Sequence, residues 1–250
     1  MMRGFAGFLA VYRREMRSWF TTPLAYVFLA AFAFAAPAFA FNVGRFFDTN
    51  RADLATLFAY MPWLLMILMP ALAMRAWAEE RDRGTLEILL SLPVSVGSIA
   101  AAKFLAAWSV ALGALIATFP LWIAVNYLGQ PDNLAIFVAY AGAFLLAGSY
   151  LAIGQALSAA SGSQVTAFVL SVLASLILTM AGLPLVTDTL SGSAPAFLVE
   201  ALAWSSVLER FSAFEHGVVG LGDIVYFLSL IVFGVAAGGL QAGASREGGR

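Results

Sequence analysis

The residues best equipped for chemistry in this chain are crowded into one short stretch. The chain has 13 basic and 14 acidic residues, and eight of them fall between Arg75 and Lys103. The stretch opens Arg75-Ala-Trp-Ala-Glu79-Glu80-Arg81-Asp82-Arg83-Gly84-Thr85-Leu86-Glu87-Ile88-Leu89-Leu90 and continues Ser91-Leu92-Pro93-Val94. Carboxylates and guanidiniums mixed this densely do recognition chemistry: they pair with one another or with a partner. Arg75/Glu79 and Glu79/Arg83 stand four residues apart, the spacing at which charges meet along a helix. Gly84 is placed to stop that helix. Thr85 is placed to cap a new one that carries Leu86, Leu89 and Leu90 and ends at Pro93. A short helix with an apolar face either folds back on its own protein, as a structural hairpin, or docks into a partner.

Other chemistries lack their residues. There is no Cys, which excludes disulfides, thiolate nucleophiles and Cys metal sites. The one His, His216, reads as a surface or interface residue rather than a ligand. No stretch fits G-x-x-x-x-G-K-[ST], and the single Lys is Lys103, so this chain has no phosphate loop of its own for ATP. H-E-x-x-H is also absent. No Asp falls in a long apolar stretch, which argues against an intramembrane protease and against ion-coupled transport.

The elements that must position the charged stretch follow from composition. Hydrophobic residues make up 62% and charged residues 11% of the 250, against roughly 45–50% and 25% in soluble domains. That excludes a soluble enzyme, a disordered chain and a nucleic-acid binder, and predicts a polytopic membrane protein. The stretches free of Asp, Glu, Lys and Arg are Ser18–Gly44, Leu54–Met74, Phe104–Pro131, Asn133–Thr187 and Ile224–Ser245. The fourth holds 55 residues, about 80 Å as one helix and far beyond one bilayer. It must reverse, at the small and polar run Ser158–Gln164. Six spans result, over about 24–42, 54–74, 105–128, 134–157, 165–187 and 224–243. Ala38-Phe39-Ala40 resembles a signal-peptide cleavage site, but the apolar run before it is long enough to span.

Ten of the basic residues lie before the first span, in the connector 75–103 or after the last span, against Arg45, Arg51 and Arg210 on the other side. This bias places both termini and the connector in the cytoplasm. Residues 1–23 read as an amphipathic interfacial helix, with Phe5, Leu9, Tyr12, Met16 and Trp19/Phe20 on one face and Arg13, Arg14 and Arg17 elsewhere. Such a helix would meet anionic lipid; an ordinary basic flank fits equally well. Thr21-Thr22-Pro23 breaks it. The loop 188–223 is acidic, with an apolar middle that reads as short helices at the outer interface, and Trp204 suits an aromatic belt. Pro37, Pro62, Pro70 and Pro120 lie in or near spans as kink sites or passive residues. Small residues recur every four positions: Ala139, Ala143, Ala147; Gly148, Ala152, Ala156; and Gly234, Gly238. They serve either a dimer seam or packing within one subunit.

Three stretches together resemble a known family. They are Arg14-Glu15-Met16-Arg17-Ser18-Trp19-Phe20-Thr21-Thr22-Pro23, the connector motif Glu79-Glu80-Arg81-x-x-Gly84-Thr85-Leu86-Glu87-x-Leu89-Leu90-x-x-Pro93-Val94 with Lys103-Phe104-Leu105, and Phe211-x-x-Phe214-x-x-Gly217 with Asp223-x-x-Tyr226-Phe227. Over about residues 10–240 the chain resembles the ABC type-2 permeases, most of all the gliding-motility and nitrous-oxide-reductase-accessory types. It departs from many relatives in having Ala102 before the lysine, and from some in having Arg210 before Phe211, with His216 further on.

The resemblance implies an all-α membrane protein of six transmembrane helices, with an N-terminal interfacial elbow helix (Arg13, Arg14, Arg17, Trp19) and a cytoplasmic coupling helix. An ATPase-coupling interface would comprise Glu79, Glu80, Arg83, Gly84, Thr85, Leu86, Glu87, Leu89, Leu90 and Pro93. Trp204, Phe211 and Phe214 would form an outer gate region. The implied role is the permease subunit of an ATP-driven exporter in a bacterial inner membrane. No cofactor would bind this chain; ATP and Mg would sit on a separate cytoplasmic ATP-binding subunit. Further implied partners are a second permease subunit, as homo- or heterodimer, and a periplasmic or auxiliary membrane protein. A membrane scaffold that docks an ATPase without transport is the alternative. The spans offer no charged site, which points to an apolar, amphipathic or large cargo.

Overall fold

A chain this apolar must satisfy its backbone N–H and C=O groups internally, and the α-helix does so within each segment. The computed structural model describes residues 2–46, 53–191, 195, 197, 200 and 204–247, and among them every regular element is a helix. Arg51, Leu198, Leu202 and Arg250, and part of the loop expected over 42–53, lie outside the described residues. The helices are α1 (Met2–Thr21), α2 (Pro23–Ala38, continued by a π-helical turn Phe39–Val43), α3 (Ala55–Ala73), α4 (Ala78–Asp82), α5 (Leu86–Leu90) and α6 (Val96–Ala117). Then follow α7 (Phe119–Leu128), α8 (Asn133–Ala160), α9 (Gln164–Met180), α10 (Pro184–Ser191), α11 (Val207–Glu215) and α12 (Leu221–Glu247).

Among the described residues, five helical stretches are long and apolar enough to cross a membrane: Pro23–Val43, Ala55–Asp82, Val96–Leu128, Asn133–Ala160 and Leu221–Ala244. Gln164–Met180 is equally apolar but only 17 residues long. The apolar run expected to cross over 165–187 is divided, because Pro184 has no N–H to continue α9 and instead opens α10. The run over 105–128 is divided too. Pro120 stands in the first turn of α7, where its missing N–H costs no bond, and the Thr118 hydroxyl donates to the Leu115 carbonyl at 2.7 Å. The third long helix also begins earlier than its charge-free stretch: α6 starts at Val96, so Lys103 lies inside it. Its first turn is capped by Ser95, whose Oγ accepts from the Ser98 N–H.

Helix α8 is the central pillar. It packs against α3, α6, α9, α11 and α12, and Ala139, Ala143, Ala147, Ala152 and Gly154 on it are buried. The small-residue stripes are therefore used inside this subunit. At Gly234 on α12, an added Cβ would stand 2.6 Å from the Ala152 carbonyl carbon and 2.7 Å from its oxygen. Backbone meets backbone there, which glycine alone permits. Helix α1 is also partly internal: Val11 and Trp19 are buried, Tyr12 bonds Ser109 at 3.0 Å, and Phe5 stays exposed. A second apolar cluster unites Val11, Trp77, Leu86, Leu89, Leu90, Ile99, Ala159 and Ala242. It brings α1, the connector and the late turns of α8 and α12 to one end of the bundle.

This packing predicts that Gly234→Val destabilises the protein by about 2–3 kcal/mol through overpacking. Thermal unfolding of the detergent-solubilised variant measures it, and an unchanged midpoint would contradict the close approach.

Candidate functional site

The connector begins where α3 ends, and the helix breaks at 74–77 before resuming as α4. Expected as one continuous charged helix, it turns because α8 intervenes. The buried Ser158 Oγ donates to the Met74 carbonyl at 2.9 Å and accepts from the backbone N–H groups of Trp77 and Ala78 at 3.1 and 3.0 Å. One hydroxyl satisfies three backbone groups that a broken helix would leave bare. Arg81 fastens the next turn to the same region, donating from Nη1 to the Ser161 carbonyl at 2.6 Å.

A charge network is built on this turn. Arg75 donates to Glu79 from both Nε (2.6 Å) and Nη2 (3.2 Å), and Arg83 reaches the same carboxylate at 2.7 Å. The Arg75 guanidinium carbon lies 4.8 Å from the centre of the Trp19 ring, a cation–π contact with α1. Lys103, with a side chain only 3% exposed, donates to Glu15 at 3.0 Å and Glu80 at 3.2 Å, and Arg14 bonds both carboxylates as well. The other Glu80 oxygen accepts the Thr85 hydroxyl at 2.5 Å. An ammonium this deep requires such pairing, since unpaired it would cost several kcal/mol. The network thereby joins α1, α4, the α4–α5 turn and α6.

Gly84 stands at φ +66°, the left-handed conformation that suits glycine at a helix stop. Thr85 occupies the capping position of α5 but makes no side-chain cap, because its hydroxyl is committed to Glu80. Leu86, Leu89 and Leu90 are buried in the second apolar cluster. Of the two uses expected for this apolar face, the structure has it folded back on its own bundle. What remains outward is Asp82, Arg83, Gly84, Glu87, Ile88, Ser91, Leu92 and Pro93, with Ile88 67% exposed. Sequence reading missed Ile88 and Leu92, whose signal is their position opposite the buried leucines. It also missed Ser158 and the Glu15–Lys103–Glu80 contact. Arg13 and Arg17 are exposed on α1.

At the opposite end, Phe211 and Phe214 are buried rather than lining an opening, and Phe214 packs 6.0 Å from the Phe227 ring. Trp204 is exposed. Arg210 pairs with Asp223 at 2.9 Å and lies 5.1 Å from Trp204 and 5.7 Å from Tyr226. Burial pushes the Glu215 carboxyl above its usual range, an effect the neighbouring His216 partly offsets. His216 closes α11, its Nδ1 donating to the Ser212 carbonyl at 2.7 Å. Among the described residues, no group of three or more His, Cys, Asp and Glu could hold a metal.

The network predicts unequal costs for its cations. Lys103→Met, which leaves the largely buried Glu15 and Glu80 to share the half-exposed Arg14 as their remaining cation, should destabilise by about 3 kcal/mol. Arg14→Gln, half-exposed, should cost under about 1 kcal/mol. Denaturation midpoints of the two variants test this, and equal losses would contradict it.

Comparison with known proteins places the chain. No curated protein matches it. The family model described as ABC-2 family transporter protein matches residues 49–208, more than half of the chain, and includes the whole connector. An all-α bundle with several apolar helices of spanning length agrees with that match, and the chain is a multi-span membrane protein belonging to the ABC-2 family of transporter proteins.

Proposed function

We propose that the chain is the permease subunit of an ATP-driven ABC exporter, of the gliding-motility or nitrous-oxide-reductase-accessory type. Nucleotide chemistry, with ATP and Mg, belongs to a separate cytoplasmic ATP-binding subunit. The chain crosses a bacterial inner membrane six times, through α2, α3, α6–α7, α8, α9–α10 and α12. The basic-residue bias favours termini and connector in the cytoplasm. α1 serves as the elbow and α5 as the coupling helix, and a second permease subunit completes the pathway. A periplasmic or auxiliary membrane protein joins the assembly.

The observation that carries this reading is the orientation of α5. It roots its leucines in the bundle and turns Glu87, Ile88 and Ser91 outward. A five-residue helix held from behind is a rigid knob for a partner's groove. Movement of that knob would pass through its leucines and Thr85 to Glu80, and from Glu80 to α1 and α6 together. Closure of a nucleotide-bound ATPase pair would thus act on two helices at once.

Glu87→Lys and Ile88→Asp change exposed side chains, so thermal stability should stay within about 0.5 kcal/mol. Each should weaken association with the ATP-binding subunit by about tenfold or more, and ATP-dependent substrate movement in vesicles should fall with it. Variants that keep both association and transport would overturn the reading. An ATP-binding subunit that stays bound to the wild-type chain while nothing crosses would favour a scaffold instead.

A further inference from the structure

We propose that the cleft between α1, the connector and α6 binds the phosphate headgroup of an anionic amphiphile. The cleft has a volume of about 470 Å³, within the range of small-ligand sites. Its charged lining comprises four cations, Arg14, Arg75, Arg83 and Lys103, against the carboxylates Glu15, Glu79 and Glu80. Each carboxylate already accepts from two of these cations: Glu15 and Glu80 from Arg14 and Lys103, and Glu79 from Arg75 and Arg83. One positive charge is left over.

The guanidiniums have donors to spare. A guanidinium carries five N–H donors in a planar fork. Arg75 Nη1 is buried with no acceptor. Arg14 and Arg83 reach their carboxylates through Nη2, and their side chains are 50% and 67% exposed. A surplus cation with unused planar donors calls for an oxyanion, and phosphate oxygens match the fork two at a time.

The rest of the lining says what the anion is attached to. Leu72, Ile88, Leu92 and Ala107 contribute apolar wall, and Trp19 presents an amphipathic ring. Leu72 lies in the last turn of α3, where the apolar stretch gives way to the charged connector. Free phosphate would leave that wall wet, whereas an amphiphile covers it with the first carbons of its tail. Ile88 is common to this wall and to the docking face of α5, but binding requires no ATP-binding subunit, so its test on the isolated chain is distinct from that of the docking role.

Native mass spectrometry of the purified chain in detergent, titrated with phosphatidic acid, tests it. One phosphatidic acid per chain should be retained at concentrations where phosphatidylcholine is not. Arg83→Gln and Arg14→Gln should each weaken retention by about tenfold, the loss of one or two charge-assisted hydrogen bonds. Arg17→Gln, on the same helix but outside the cleft, should leave it unchanged. Equal retention of phosphatidylcholine, equal loss with Arg17→Gln, or no loss with Arg83→Gln and Arg14→Gln would overturn the site. Displacement of phosphatidic acid by inorganic phosphate at matched concentration would overturn the amphiphile in favour of a soluble phosphate.

Discussion

A buried ammonium organises one end of this molecule. Lys103 is the only lysine in the chain and lies in an otherwise apolar helix, almost wholly out of reach of water. A charge in that position persists only while its counter-charges stay in place. Glu15 and Glu80 supply them from α1 and α4. The N-terminal helix is therefore not a loose surface strip, and the connector is not a slack loop. Both are held to α6 by the same cation, and Arg14 closes the arrangement from the solvent side.

A second regularity is how the apolar residues are spent. The leucines of α5 are consumed in anchoring it. Gly148 and Ala152 of α8 and Gly234 and Gly238 of α12 are consumed in bringing those two helices together. At the connector, contacts with other molecules must be made by what is left over: exposed charges and the apolar side chains of Ile88 and Leu92. Residue type alone does not reveal this division, since a leucine in a short amphipathic helix looks the same whether it faces inward or outward.

Much of the helical framework was legible from apolar runs, because the length of a bilayer and the rise of a helix leave little freedom. Proline and glycine marked several breaks, and the Arg75–Glu79–Arg83 spacing marked its own pairing. The misses share a cause. Glu15 and Lys103 lie 88 positions apart, and Trp77 and Ser158 81 apart. Periodicity and spacing report only on neighbours along the chain. Thr85 failed for a related reason: its local role as a cap lost to a carboxylate that tertiary folding placed beside it. The division of 165–187 at Pro184 could have been read, but the apolar run around it masked the signal.

The hydroxyl of Ser158 has one proton to give and two lone pairs to offer, and the connector turn takes all three. Nothing in the connector's own residues supplies those bonds. The bend belongs to α8 as much as to the segment that bends. The connector is thus no portable cassette: grafted onto another bundle it would carry its charges and leucines but not its angle. Inheritance of this element is inheritance of a pair of segments some eighty residues apart, joined through a single oxygen atom.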